Sequence, residues 1–316
     1  AMGVRSWLSK LFSGKAYSSR VIRTPFYIPL GWSTDRYLQM YGEVGWLFAV
    51  VSRIASAVAR AEWRVLRRTG KGMEEVERSP LLDLLYKPNP YSTGYELFEV
   101  SQAYLELAGE CFWVLFKNRL GRIAEIHVVP PQQVEVEVDA QGFPTGYQVW
   151  GSRGKQRFEL DEMLHIKLPN PLEPTRGLGP VQALINDLDT EKLSALWNRI
   201  FFTNAACPAG ILKPKEELSE EELELLKKTW RERYTGIGAA HQTAILPADV
   251  EYQPISKSQK DMDFVELRKL NRDLILGAFG VPLSVLGIVE NVNRANAEAG
   301  EYTFARWVVL PRHLLG

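Results

Sequence analysis

At Cys111 the spacing of apolar residues changes from helical to alternating. That switch limits the chain to folds in which helices and antiparallel strands pack side by side. Upstream, "VSRIASAVARAEWRVLRR" sets Val51, Ile54, Ala55, Val58 and Ala59 on one helical face. "RSPLLDLLYKPNPY" reads as a short helix ended by Pro88 and Pro90, and "TGYELFEVSQAYLELAG" as a longer one from about Thr93 to Leu107. Downstream, "CFWVLFK" and "IAEIHVV" flank the hairpin-type turn "NRLGR" with Gly121. "QVEVEVD" alternates Val134, Val136 and Val138 with Glu135 and Glu137, a half-buried strand with one wet face. "YQVW", "RFEL" and "MLHIKL" complete an antiparallel meander, so the fold class is α+β.

After the loop "PNPLEPTRGLG", Pro180 opens a long helix with the stripe Val181, Leu184, Ile185 and Leu188, resumed at Leu193, Leu196, Trp197 and Ile200. A compact insert follows. "AGILKP" and "QTAILP" read as strands, and "LSEEELELLKKTWRERY" as a helix with capping-box spacing between Ser219 and Glu222. That helix has an apolar face of Leu223, Leu226, Trp230 and Tyr234, expected to pack on the insert's strands, and a charged outer face. A second long helix runs from near Ser258 to Phe279, where Gly280 suits a positive-φ cap and Pro282 blocks continuation. An apolar patch, Pro282 to Val289, then gives way to a polar loop with Asn291, Asn293, Arg294 and Asn296, and a helix resumes at Glu301.

Lysine plus arginine equals aspartate plus glutamate, 38 each, so net charge argues neither for nor against a nucleic-acid partner. The two cysteines, Cys111 and Cys207, lack metal-ligand spacing and suit a reducing, intracellular setting. The opening "AMGVRSWLSKLFSGK" is interrupted by Lys10 and reads as a terminal arm, not a secretory signal. Val44 to Ala61 contains Arg53 and Arg60, which fits a buried amphipathic helix better than a membrane span.

The sequence has no phosphate-cradling G-x-x-x-x-G-K-[ST] loop and no G-x-S-x-G elbow. His127, His165, His241 and His313 are isolated from one another and from the cysteines, so no metal site is expected. Asp187, Asp189 and Glu191 are spaced two apart; on a helix they fan around the axis and read as a solvated face. No catalytic constellation, and so no enzyme, is expected.

The order of six segments points further: "AEWRVLRR" at a helix end, "SPLLDLLYKPNP", "LAGECFWVLFKNRLGRIAEIHVVPPQQVEVEVDAQG", "DEMLHIKLPNPLEPTRGLGPVQAL", "FFTNAACPAGILK" and "FGVPLSVLG". From about Val44 to the C-terminus the chain resembles the portal proteins of tailed bacteriophages, in the HK97-type branch. The resemblance implies a ring of about twelve subunits at one capsid vertex, with an axial channel for double-stranded DNA read without sequence specificity. It implies a virion location after assembly in the host cytoplasm. The implied partners are further copies of the chain, the large terminase motor, major capsid and scaffolding proteins and a head–tail adaptor, with no membrane and no cofactor.

Mapped on this sequence, the resemblance implies an N-terminal arm over 1–24, a wing of helices and antiparallel strands over 25–176 and a first stem helix over 177–205. A small αβ clip spans 206–257, a second stem helix 258–282 and a tunnel loop 283–300, and 301–316 start a helix leading to the crown. Family members continue past this point, so a truncated crown is expected. The expected DNA-facing residues are Asn291, Asn293, Arg294 and Asn296, bounded by Gly287 and Gly300 as points of flexure. The expected clip docking surface is Glu220, Glu224, Lys227, Lys228 and Arg231. Trp197, Phe201, Phe202, Leu267, Leu270 and Leu274 are expected to pack against neighbouring subunits. Two other readings use the same residues: a phage-type nuclease or hydrolase with an unrecognised site, and a non-ring adaptor that binds a protein through the clip helix.

Overall fold

A computed structural model describes residues 34–313 except 71, 152–153, 205–209, 215–218, 226–227, 229–249, 255–263 and 289–293. Helix α1 (Thr34–Glu43) leads into α2 (Gly45–Ala59), whose whole expected face, Val51, Ile54, Ala55, Val58 and Ala59, is buried. The helix does not continue into "AEWRVLRR". Leu66–Thr69 forms strand β1, hairpinned to β2 (Gly72–Glu75), because Trp63 and Val65 favour extended backbone and the glycines at 70 and 72 turn the chain. Among the described residues no single helix is long and apolar enough to cross a membrane.

Helix α3 (Pro80–Tyr86) is capped by the Ser79 hydroxyl, which accepts from the Leu81 amide at 3.3 Å. Helix α4 (Gly94–Ala108) starts at a full capping box between Thr93 and Glu96 and ends at left-handed Gly109, φ 77°. The strands that follow are β3 (Glu110–Lys117), β4 (Ile123–Val129), β5 (Val134–Val138), β6 (Pro144–Gly151), β7 (Gly154–Phe158) and β8 (Met163–Lys167). They do not form one meander. Two antiparallel three-stranded sheets result, ordered β4-β3-β8 and β5-β6-β7, because β8 returns to pair with β3.

Side-chain alternation on β3 explains the layering. Phe112 and Val114 face one core with Val134, Tyr147, Val149 and Phe158 of the second sheet, while Cys111 and Trp113 face Leu97 and Leu105 of α4. The order is therefore helix, sheet, sheet. Trp113 Nε1 donates to Ser101 Oγ at 2.7 Å, which satisfies the indole inside this core.

Helix α5 (Pro180–Asn204) begins at the expected proline. Its stripe Val181, Leu184, Ile185 and Leu188 is buried in a core shared with α1, α2, Ile275, Leu276 and Phe279. Strands β9 (Gly210–Pro214) and β10 (Val250–Pro254) pair antiparallel, so β9's described partner is β10; the strand expected in "QTAILP" lies outside the described residues. Helix α6 (Phe264–Phe279) ends at Gly280, φ 69°, as its sequence predicts. A 3-10 turn (Leu283–Leu286) closes at Gly287, φ 78°.

Helix α7 then runs Arg294–Thr303 and passes into a π-helical turn (Phe304–Val309) and the final turn α8 (Leu310–His313). The helix thus resumes at Arg294, seven positions before the expected Glu301, since Ala295, Ala297, Glu298 and Ala299 are good helix formers. Gly300 is not a flexure point: it sits inside α7, where an added Cβ would lie 2.3 Å from Ser284 Oγ. The described residues divide into two compact units, one reaching Leu188 and resuming at Asp273, the other spanning Asp189 to Arg272.

Candidate functional site

The long helices α5 and α6 carry the residues expected at subunit contacts. Within one chain Leu270 and Leu274 are exposed, at 56% and 44%, while Leu267 and Trp197 are half-buried. The side chains of Phe201 and Phe202 lie outside the described residues. Two further leucines belong with this group: Leu193, 61% exposed, and Leu196, 44% exposed. Leu193 and Leu196 of the resumed stripe are therefore exposed, whereas the first half of the stripe is buried; the side chain of Ile200 lies outside the described residues.

What faces inward at this level is polar. Glu191, Ser194, Asn271 and Arg272 are buried. Glu191 does not belong to a solvated face. Its Oε1 accepts from Arg268 Nε at 3.1 Å and Nη2 at 2.9 Å, and its Oε2 from Asn271 Nδ2 at 3.4 Å. Glu191 follows Leu188 by three positions, so helical spacing alone carries it into the inward stripe.

In the insert, a helix over 220–225 starts at the expected capping box. The Ser219 amide donates to Glu222 Oε2 at 2.9 Å, and Ser219 Oγ accepts from the Glu222 amide at 3.3 Å. The backbone hydrogen bond first, then the hydroxyl, holds the Glu222 carboxyl below its ordinary range. Glu220, Glu224 and Lys228 are exposed; Lys227 and Arg231 lie outside the described residues. Leu223, expected to face the insert's strands, is 40% exposed. Of the expected DNA-facing residues, Asn291 and Asn293 lie outside the described residues, Arg294 opens α7, and Asn296 is exposed in its first turn.

Two buried carboxylates escape sequence reading. Glu110, 2% exposed, opens β3 and receives the Arg176 guanidinium, with Nε at 2.8 Å from Oε1, and the Gly177 amide at 3.1 Å; His165 Nε2 lies 3.1 Å from Oε2. Burial pushes this carboxyl up, but the charge of Arg176 and the hydrogen bonds from His165 and Arg176 outweigh it and hold the group below its ordinary range. Glu106, 1% exposed, receives Arg312 Nη2 at 2.9 Å and Gln102 Nε2 at 2.6 Å, tying the last described turn to α4. The only signal in the sequence is an unexplained acidic residue at each end of "ELAGE".

Around Glu110 three glycines pack backbone on backbone. A Cβ on Gly177 would lie 1.9 Å from the Gly109 carbonyl oxygen, and one on Gly179 would lie 2.6 Å from the Gly109 amide nitrogen. This crossing delivers the chain from β8 into α5. Cys111, beside it, is buried, which pushes its thiol up to about 12 and leaves it unreactive. Among the described residues no group of three or more His, Cys, Asp or Glu is placed to hold a metal ion.

The chain is similar to an uncharacterised protein of Rickettsia bellii, 28% identical over 279 residues, covering 85% of this chain and 71% of the relative. It is 25% identical over 214 residues to the portal protein of Enterobacteria phage HK97, covering 67% of this chain and half of that protein. Among solved structures it resembles a chain in the neck of an empty gene transfer agent particle, at 28% identity and a TM-score of 0.68, covering 89% of this chain and 77% of that one. An HK97-family portal protein from Corynebacterium diphtheriae shares the fold, at 13% identity and a TM-score of 0.59, over 88% of this chain and 86% of that one. The family described as phage portal protein matches residues 46–313, and with the α+β fold that it shares with portal structures the chain belongs to that family.

Proposed function

We propose that this chain is the repeating subunit of a closed ring at one capsid vertex, whose axial channel passes double-stranded DNA during packaging and ejection. The inside-out stem carries this reading. Leu193, Leu196, Leu270 and Leu274 face outward from helices whose inward positions at that level hold Glu191, Ser194, Asn271 and Arg272. Exposed leucines on both helices, Leu193 and Leu196 on one and Leu270 on the other, mark an association surface, and one surface meeting a different one on the next copy closes into a ring when the rotation closes. A similar chain comes from the neck of a native gene transfer agent particle computed with twelve-fold symmetry, and the one in the empty particle from a neck computed with six-fold symmetry, which supports a symmetric ring.

In this reading the segment 25–176 is the wing, α5 and α6 are the stem, 206–257 is the clip, and the segment 283–300 reaches the channel. Asn291, Asn293, Arg294 and Asn296 each become a circle of identical side chains. Asparagine amides donate to phosphate oxygens without a formal charge, which gives contacts that are brief and indifferent to base sequence. The clip surface around Glu220, Glu224, Lys227, Lys228 and Arg231 docks the large terminase motor and then a head–tail adaptor. Capsid and scaffolding proteins meet the outside of a ring assembled in the host cytoplasm, and the role is structural, not enzymatic. Native mass measurement with negative-stain imaging tests this. Rings with a central hole are expected, and a monodisperse monomer at high protein concentration refutes the reading.

A further inference from the structure

We infer that Glu191, Arg268 and Asn271 are positioning residues that fix the register between the stem helices and so set how many subunits close the ring. The inference rests on the ring reading above. Its starting point is a carboxylate where the helical pattern calls for a leucine. The inward stripe of α5 runs Val181, Leu184, Ile185, Leu188 and then Glu191, 4% exposed. The stripe of α6, followed backwards from Phe279, runs Leu276 and Ile275 and then Arg272 and Asn271, both buried.

Stability does not explain this exchange. Well-packed apolar residues of similar volume hold two helices together as well as a buried ion pair does, or better. What the ion pair adds is direction. Leucine contacts are less directional than hydrogen bonds. The Arg268 fork meets one carboxylate oxygen of Glu191 at 3.1 and 2.9 Å, and Asn271 takes the other at 3.4 Å. A slip of one turn moves the partners about 5.4 Å apart along the axis and breaks all three bonds.

Register matters because both helices contribute to the outer apolar surface: Leu193 and Leu196 from α5, Leu270 from α6. Their relative heights follow the register and define the wedge that the next copy meets. In a ring of twelve, neighbours differ by about 30°, and a thirteenth subunit changes that angle by only about 2°. An outer surface built from leucines alone does not discriminate so small a difference. A directional clasp inside each subunit makes the wedge one shape.

The test measures ring mass for the purified full chain and three variants by native mass spectrometry, alongside thermal unfolding. The wild type is expected to give a single ring mass. E191L/R268M, which replaces the ion pair by apolar side chains and takes from Asn271 its Glu191 acceptor, is expected to give at least two ring masses separated by one 35.9 kDa subunit. R268K keeps the charge at a side chain 43% exposed but loses the fork, and is expected to broaden the distribution as well; it keeps the test open if the double variant fails to fold. E191Q keeps an acceptor for Arg268 and is expected to retain the single mass. A single, wild-type ring mass for R268K, or for a folded E191L/R268M, overturns the inference, as does broadening by E191Q. A merely structural clasp lowers the unfolding temperature without changing ring mass. A wild type that forms no ring refutes the ring reading instead.

Discussion

Glu110 and Glu106 stand four residues apart on either side of Gly109, and each is answered by an arginine far along the chain. Because the folded carboxyl of Glu110 binds its proton less tightly than the unfolded one, its contribution is fully present above the ordinary carboxylate value of 4.5 and is lost as pH falls below it. E110Q removes the negative charge that half-buried Arg176 faces, an expected cost of about 3 kcal/mol at neutral pH. Thermal unfolding followed from neutral pH down through the carboxylate range checks both statements: the wild type loses stability on acidification, and E110Q loses less. A parallel decline in the two proteins would mean that other carboxylates dominate the acid response. Neither glutamate was legible beforehand, since their arginines lie 66 and 206 positions away and no local spacing announces them.

Elements begin and end where local chemistry says, except where a distant segment intervenes. The capping box at Ser219 and the left-handed glycine at 280 are local and were readable, and the capping box at Thr93 and left-handed Gly109 that bound α4 are of the same local kind. The crossing of Gly177 and Gly179 over Gly109 is not local; it exists because β8 returns beside β3. Gly177→Ala is therefore expected to force backbone apart and to cost more than about 3 kcal/mol. Gly277→Ala, inside α6 with nothing within 4 Å of its added Cβ, should stabilise by about 0.5–1 kcal/mol through helix propensity. Denaturant midpoints of the two variants, moving in opposite directions, check the contrast. Equal and small shifts would show that the glycine crossing yields at little cost.

At the scale of the assembled molecule, the outward leucines decide. Leu270 and Leu274 are already 56% and 44% exposed in one subunit, so L270S/L274S should change subunit stability by only about 0.5 kcal/mol per site. Burial of the exposed half of each against a neighbour is worth about 1 kcal/mol, repeated at every interface, so the same variant should shift rings towards monomers by native mass. Intact rings would remove these residues from the contact. Alanine at Asn291, Asn293, Arg294 and Asn296 should leave ring mass unchanged and alter DNA packaging or retention; unaltered packaging would place the channel constriction elsewhere. Charge reversal at Lys228 and Arg231 should impair packaging with rings intact, and normal packaging would move the docking surface off the clip helix.

Residue order alone determined the α+β class, the helix that opens at Pro180, the cap at Gly280, the buried stripes of α2 and the first half of α5, and the family resemblance. These follow from short-range periodicity, caps and segment order. Tertiary structure alone decided that β8 splits the strands into two sheets. It also placed Glu191 inward and Leu193 and Leu196 outward on the same helix. The physical reason is common to both. Periodicity shows which residues share a face, but which face is covered depends on what the rest of the chain, or the next copy of it, brings against that face.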